Sequence, residues 1–256
     1  MEGRRVVILG SGNVATHLAS ALYAAGADIR QIYSPTAAHA KRLATAVGAE
    51  AVDSPGAIIP DADFYIISTV DGAVAEVAAS MPRVKGIVVH TSGSVPMDVL
   101  LPASDRVGVM YPLQSFSRDR KLDMKRVPFF NESSDATTLN EIDSLTGLIS
   151  DSVQHADSST RPFLHVAGVL GCNFPNFLLG CASEVLARGG YSLDVLRPLL
   201  EETVDKAFTL GPEESQTGPA RRGDTDTILC HERLLPSDTA EIYKKMSEAI
   251  MKHYRQ

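Results

Sequence analysis

A chain of 256 residues with 44% hydrophobic content can bury a large core as one long domain or two shorter ones, and two is the expectation. Acidic residues outnumber basic ones 31 to 24, a formal net charge of −7, and no basic tract exceeds two residues, which argues against a nucleic-acid or anionic-membrane partner.

The first predicted element is a strand over 5–9 that runs straight into Gly10-Ser11-Gly12-Asn13-Val14-Ala15 and a helix over 14–25. The strand, glycine turn and helix together are the setting a dinucleotide site requires. Gly10 permits the tight turn, Gly12 lets the backbone approach a pyrophosphate, and Ala15 allows close packing of helix on strand. The phosphates are expected at the positive end of that helix. Ser11, Asn13 and Val14 complete the predicted cradle.

A strand at 29–33, a helix at 37–47, a strand at 64–67, a helix at 73–80 and a strand at 87–90 continue the rhythm. Runs without alternation, such as Phe64-Tyr65-Ile66-Ile67, read as parallel strands covered on both faces. Further strands are expected at 107–110, 127–130 and 152–155, with a helix at 137–149. After Asp157 long helical patterns take over, at 163–187, 193–210, 225–234 and 239–254. The predicted fold is therefore α/β, a Rossmann-like doubly wound sheet in residues 1–156 followed by an all-α domain in 157–256 for substrate binding and dimerisation. The first of those helices is apolar on nearly every side, so it should be buried within its domain or against a second subunit.

No apolar run reaches the ~18 residues of a membrane span, and the first strand begins almost at Met1. A cytoplasmic protein without signal peptide or anchor is the expectation. Cys172, Cys181 and Cys230 are odd in number and lack paired ligand spacing, so reduced thiols are expected and no metal site.

The second strand ends Tyr33-Ser34-Pro35-Thr36, with His39, Lys41 and Arg42 following and no carboxylate to accept ribose hydroxyls. NADP is favoured over NAD, with Ser34 and Thr36 as candidate ligands. Ser34 as a simple helix cap is the alternative. Strands ending at Ser68-Thr69-Val70-Asp71 and His90-Thr91-Ser92-Gly93-Ser94 should line the nicotinamide half, which adds Thr69, Val70 and His90. Asp71 reads as a helix N-cap rather than an acid, and His90 as a structural partner at least as readily as a proton donor.

On the helix from Arg161, the positions of Arg161, His165 and Asn176 fall within roughly 60° at 100° per residue, with Asn173 on the flank. Such a polar stripe lines a cleft or joins a buried network; Pro175 could shift Asn176 out of it. Hydride transfer leaves the protein to orient the substrate and move one proton, and His165 is the first candidate for that acid/base, with Asn173 beside it. Arg161, Asn176, Gln216 and Arg221 are candidate substrate ligands; in the polar connection at 211–223, Arg221 or Arg222 could grip an anionic group, with a solvated arginine pair and a helix cap at Asp224 as the alternative.

The chain as a whole resembles uncharacterised proteins with a Rossmann-like amino-terminal domain and a helical carboxy-terminal domain of unknown function, often described as deazaflavin (coenzyme F420)-dependent NADP oxidoreductases. Gly10 to Ala15, His90 to Ser94, Tyr111 to Phe116, Arg161 to His165 with Asn173, and Gln216 to Arg221 are the segments on which the resemblance rests. The architecture is also similar to pyrroline-5-carboxylate reductase and the 6-phosphogluconate, β-hydroxyacid and prephenate dehydrogenases. The resemblance implies a homodimer through the helical domain, a substrate cleft between domains, and hydride exchange with a small carbonyl, imine, hydroxyacid or deazaflavin. His165 and Asn173 stand where β-hydroxyacid dehydrogenases carry lysine and asparagine. Pro35 stands where many NADP-binding members carry arginine. A non-catalytic NAD(P)-binding sensor or interaction module is the competing reading.

Overall fold

Val6-Val7-Ile8-Leu9, Phe64-Tyr65-Ile66-Ile67 and Ile87-Val88-Val89 have no polar alternation, and every one of these residues is fully buried. They form the middle of an eight-stranded sheet in the computed structural model, which describes residues 3–254. The strands are β1 (Arg5–Leu9), β2 (Asp28–Tyr33), β3 (Glu50–Val52), β4 (Phe64–Ile67), β5 (Ile87–His90), β6 (Val107–Pro112), β7 (Phe129–Ser133) and β8 (Val153–His155). Their order in the sheet is β3-β2-β1-β4-β5-β6-β7-β8, parallel throughout except where β7 runs antiparallel to β6. The order reverses at β1, so a crevice opens beyond the carboxyl ends of β1 and β4, where ligands of open α/β sheets bind.

Helices α1 (Asn13–Ala24), α2 (Ala37–Val47), α3 (Val74–Ser80) and α4 (Ala136–Thr146) cover the two faces. Leu18 and Leu22 of α1, Leu43 of α2, and Ile142 and Leu145 of α4 belong to one buried cluster. Val74 and Val77 of α3 belong to a second with Val7, Leu9 and Tyr65. The chain continues through α5 (Arg161–Gly168), α6 (Phe174–Arg188), α7 (Arg197–Thr209), the short α8 (Pro212–Ser215) and α9 (Pro219–Arg222), α10 (Thr225–Glu232) and α11 (Ser237–Tyr254). Two compact units divide between Cys172 and Asn173; the strands end at His155, just before the composition change.

Several elements differ from their sequence-based outlines, each for a local reason. β3 was not expected: it is a three-residue edge strand whose residues are exposed or half-buried, so it has no apolar signature. β7 starts at Phe129 rather than 127, after a 3-10 turn at Met124–Arg126 and a proline that cannot donate to the ladder. The helix expected at 163–187 is three segments, α5, a π turn at Val169–Asn173, and α6. Pro175 lies in the first turn of α6, and the preceding π turn adjusts the backbone that a proline would otherwise clash with. Counting 100° per residue therefore does not hold from Arg161 to Asn176, and the polar stripe expected on that ground is lost.

The path Arg161–Arg188, 28 residues with mean hydropathy 1.3 in its most apolar window, meets the length and composition of a membrane span. The sequence reading looked for an uninterrupted run; His165, Asn173 and Asn176 break the run but not the average. Core helices of soluble proteins satisfy the same criterion.

Candidate functional site

The glycine turn after β1 has the two spatial properties a dinucleotide needs. Gly10 adopts φ +140°, and a Cβ there would lie 2.1 Å from the Ser68 carbonyl oxygen, so only glycine lets β1 and β4 meet this closely. A Cβ on Gly12 would meet nothing within 4 Å: the backbone there borders open space. Gly12 is the N-cap of α1, no side chain caps that end, and no acidic residue occupies its first turn. Its orphan N–H groups and positive end are thus left for an anion. The cradle fits the pyrophosphate of NADP on these grounds. Ala15 is fully buried against the sheet.

On the β2 side, the Ser11 hydroxyl donates to Ser34 Oγ at 2.8 Å, and the Thr36 N–H donates to the same oxygen at 3.3 Å. Both serines are buried. This ties the glycine turn to the end of β2, and Ser34 is not the N-cap of α2; Thr36 is, without a side-chain bond. The Asn13 side chain donates to the Phe116 carbonyl at 3.0 Å, which leaves its backbone N–H for the cradle. Arg118 donates to the Ser11 carbonyl at 2.9 Å, so the segment after β6 reaches back to the glycine turn. No periodicity marks that segment, and the sequence reading took it only as far as Phe116, as part of the family resemblance.

The ends of β4, β5 and β6 and the start of α5 bring a second group together. Val70, just past β4, is 77% exposed, and the Thr91 hydroxyl donates to Ser68 Oγ at 3.1 Å. Asp71 begins a 3-10 turn whose N-cap is Val70; its carboxylate accepts from the Ser94 hydroxyl at 2.6 Å. It is not the N-cap the sequence suggested. Tyr111 on β6 meets His165 on α5, with its hydroxyl 3.1 Å from Nδ1. A Cβ on Gly93 would lie 2.7 Å from that nitrogen, so the glycine makes room for the imidazole. Burial pushes the Tyr111 phenol above its ordinary value, opposed by the nearby positive charge of Arg161. The hydroxyl therefore stays protonated at neutral pH. His165 itself is half-buried.

His90 and Arg161 lie deeper. His90 is fully buried, its Nδ1 accepts from the Ser92 N–H at 3.2 Å, and burial, then the charge of Arg161, lowers its pKa to about 4. Arg161 is also fully buried: Nη1 is paired with Glu132, and Nη2 donates to the Val95 carbonyl and, at 3.4 Å, to Ser158 Oγ. Ser158 donates to Glu132 through its N–H and its hydroxyl, both at 2.9 Å.

In the helical unit, Asn173 and Asn176 are exposed. Gln216 donates to the Thr217 carbonyl at 3.0 Å, and the Arg221 guanidinium stacks 4.2 Å from the Tyr254 ring centroid. A cavity of about 540 Å³ lies wholly within this unit, lined by apolar side chains including Leu178, Val185, Leu196, Ile242 and Met246. No group of three or more His, Cys, Asp or Glu suited to a metal ion occurs among the described residues.

Residues 5–92 match the family described as NADP oxidoreductase, coenzyme F420-dependent, and residues 127–250 match a domain of unknown function, DUF2520. A Bacteroides fragilis protein whose crystal structure is titled "putative NADP oxidoreductase" is 38% identical, with a TM-score of 0.91 and coverage of 98% of this chain and 99% of that one. A Thermotoga maritima protein, TM1727, is 19% identical at a TM-score of 0.79, covering 98% and 100% of the two chains. A reductive aminase from Aspergillus terreus, in complex with NADPH4, cyclohexanone and allyl amine, is 15% identical at a TM-score of 0.72, covering 98% and 94%. At these last two identities the likeness is one of fold. No curated protein matches. With the pyrophosphate cradle, the sheet order and the full-length match to the Bacteroides fragilis protein in hand, the chain belongs to that family of NADP-dependent oxidoreductases, with an NADP oxidoreductase domain followed by DUF2520.

Proposed function

We propose that the protein reduces a small imine or carbonyl compound, with NADPH as hydride source and the Tyr111–His165 pair as proton source. The observation that carries this reading is the Tyr111 hydroxyl held 3.1 Å from His165 Nδ1 beside the carboxyl ends of β4 and β5. Ser11, Gly12, Asn13 and Val14 hold the pyrophosphate through backbone N–H groups, while Gly10, whose own N–H donates to the Tyr33 carbonyl at 2.8 Å, shapes the turn beneath it; Ser34 and Thr36 face the adenosine end, and Thr69 and Val70 border the dinucleotide beyond β4. NADPH, when bound, supplies the hydride. The Tyr111 hydroxyl donates its proton to the nitrogen or oxygen of the substrate, and protonated His165 replaces that proton through Nδ1 and is recharged from solvent. A tyrosine that is kept protonated by burial, with an imidazole nitrogen within hydrogen-bond reach of its hydroxyl, suits that order of events.

His90 and Arg161 lie beneath this pair as supports. With its charge committed to Glu132 and Val95, Arg161 braces the start of α5 and so holds His165 in place; its sequence-based role as a substrate ligand gives way to that one. Asn173 and Asn176, Gln216 and Arg221 remain candidates for substrate contact from the helical unit. The fold likeness to the reductive aminase, whose structure holds cyclohexanone and allyl amine, supports a small C=N or C=O substrate. A homodimer and a cytoplasmic location accompany the proposal.

The test is NADPH consumption against a panel of cyclic imines and ketone–amine pairs, with cofactor affinity measured in parallel. Tyr111→Phe and His165→Ala should each lower kcat by roughly 10²–10⁴-fold while the NADPH Kd stays within about twofold. Unchanged turnover in either variant rejects the pair as proton source. A wild-type protein that binds NADPH but consumes it with no member of the panel rejects the substrate class.

A further inference from the structure

We infer that Arg118, on the segment between β6 and β7, recognises the 2′-phosphate of NADP and replaces the cation that the tip of β2 lacks. The inference rests on the NADP-binding reading above and names the residue that sets the cofactor preference.

In Rossmann-type sites the adenosine ribose lies at the end of β2, where a carboxylate binds the hydroxyls of NAD or a nearby arginine binds the phosphate of NADP. Here that end reads Ser34-Pro35-Thr36 and supplies neither. His39, Lys41 and Arg42 are exposed on α2, and among the described residues none of their side chains bonds to the glycine turn. The turn itself marks the ribose side, because the buried Ser11 hydroxyl points to Ser34 at 2.8 Å. Arg118 is anchored on the same residue: its Nη2 donates to the Ser11 carbonyl at 2.9 Å. A chain segment far along the sequence thus brings a guanidinium to the residue whose side chain touches the β2 tip.

Two observations indicate that the guanidinium is poised for an anion. Its Nε is buried without a hydrogen-bond partner, and it forms no ion pair among the described residues. An N–H buried with no acceptor is costly, so the guanidinium is not satisfied by the protein alone, and its Nη1, which has no protein partner among the described residues, is left to meet a phosphate oxygen. The planar fork of arginine suits phosphate in two-pronged fashion. The segment is also fastened before any ligand arrives: Asn13 donates to the Phe116 carbonyl, His17 Nε2 donates to the Ser117 carbonyl at 3.0 Å, and the His17 and Phe116 rings lie 5.3 Å apart. Preorganisation of this kind lowers the ordering cost of binding.

The experiment is calorimetric titration of wild type, Arg118→Gln and Arg118→Lys with NADP+, NAD+, 2′,5′-ADP and 5′-AMP. Arg118→Gln should weaken NADP+ and 2′,5′-ADP by about 10- to 100-fold and leave NAD+ and 5′-AMP within about twofold. Arg118→Lys should recover part of the loss. Equal weakening of NADP+ and NAD+ overturns the inference, since Arg118 would then merely hold the turn or touch the shared pyrophosphate. Unchanged NADP+ affinity in Arg118→Gln also overturns it, while leaving the oxidoreductase reading intact. A wild-type protein that binds neither dinucleotide overturns both together.

Discussion

The two units of this chain handle apolar surface in opposite ways. In residues 3–172, β1, β4 and β5 bury almost every side chain completely, and helices seal both faces of the sheet. In residues 173–254, only Ala220, Ile228 and Ser247 are buried among the described residues, whereas Phe174, Phe177, Leu199 and Phe208 stand 55%, 58%, 61% and 90% exposed. The sheet unit closes its own core and presents its chemistry at its carboxyl edge. The helical unit has the composition of a core element and lacks a cover, and large exposed apolar patches mark association surfaces. The difference teaches where each kind of mutation should be felt: in the sheet unit as lost folding free energy or lost chemistry, in the helical unit, on the proposal of a homodimer, as lost association.

The sharpest way to break that contrast is at Arg161, the largest fully buried side chain among the described residues. Removing one partner of a buried ion pair leaves the other charge uncompensated, and costs about 3–5 kcal/mol. Arg161→Gln should therefore destabilise the protein by roughly that amount in urea titrations, toward the low end because Ser158 still donates twice to Glu132. Pairing it with Glu132→Gln should recover much of the loss. A cost below about 1 kcal/mol would mean that water or rearrangement already serves Glu132, and that the unit is less closed than its burial indicates.

A somewhat smaller effect belongs to pH. His90 has its pKa lowered from 6.5 to about 4, first by burial and then by Arg161. Above about pH 6.5 it is neutral in both folded and unfolded chains and adds no slope. As pH falls from 6.5 to about 4 the unfolded chain binds a proton that the folded protein refuses, so stability falls, by about 3 kcal/mol across the window. His90→Asn should flatten that slope between pH 7 and 4.5. Asp157, held down to about 2 by the hydroxyl and N–H groups of Ser159 and Thr160, loses its contribution only below that window, as pH falls from 3.8 toward 2. A slope that survives His90→Asn assigns the acid sensitivity elsewhere.

How much of this was legible in the sequence follows from range of interaction. The strands and the glycine turn are local patterns, and so is Ala15, whose burial follows from the motif's spacing; all were readable, as was the switch from strands to helices near Asp157. What escaped depends on pairing across long separations. Tyr111 and His165 are 54 residues apart and meet because the end of β6 lies beside α5. Arg118 and Ser11 are 107 apart. Arg161 looked like a ligand because a charged residue on an apolar helix invites that reading; its partner Glu132 sits on β7 with nothing in the local pattern to announce it. The π turn before Pro175 is a backbone adjustment that no residue-type periodicity records.

The smallest expected change in folding is in the helical unit, and it separates the two regions most cleanly. Phe208 on α7 is 90% exposed, so replacing it removes almost no contact within the chain. Phe208→Ser should leave the unfolding free energy at low protein concentration within about 0.5 kcal/mol of wild type, as for exposed substitutions generally. If α7 contributes to the surface by which two copies associate, the same change should raise the dissociation constant, because an aromatic buried in an interface is commonly worth 2 kcal/mol or more there, roughly thirtyfold. Sedimentation over a concentration series reads the association, and chemical denaturation at a fixed low concentration reads the fold. A wild-type protein that stays monomeric at every concentration would remove the explanation for the uncovered apolar face. A Phe208→Ser variant that loses folding free energy at low concentration would show instead that the helical unit closes on itself, as the sheet unit does.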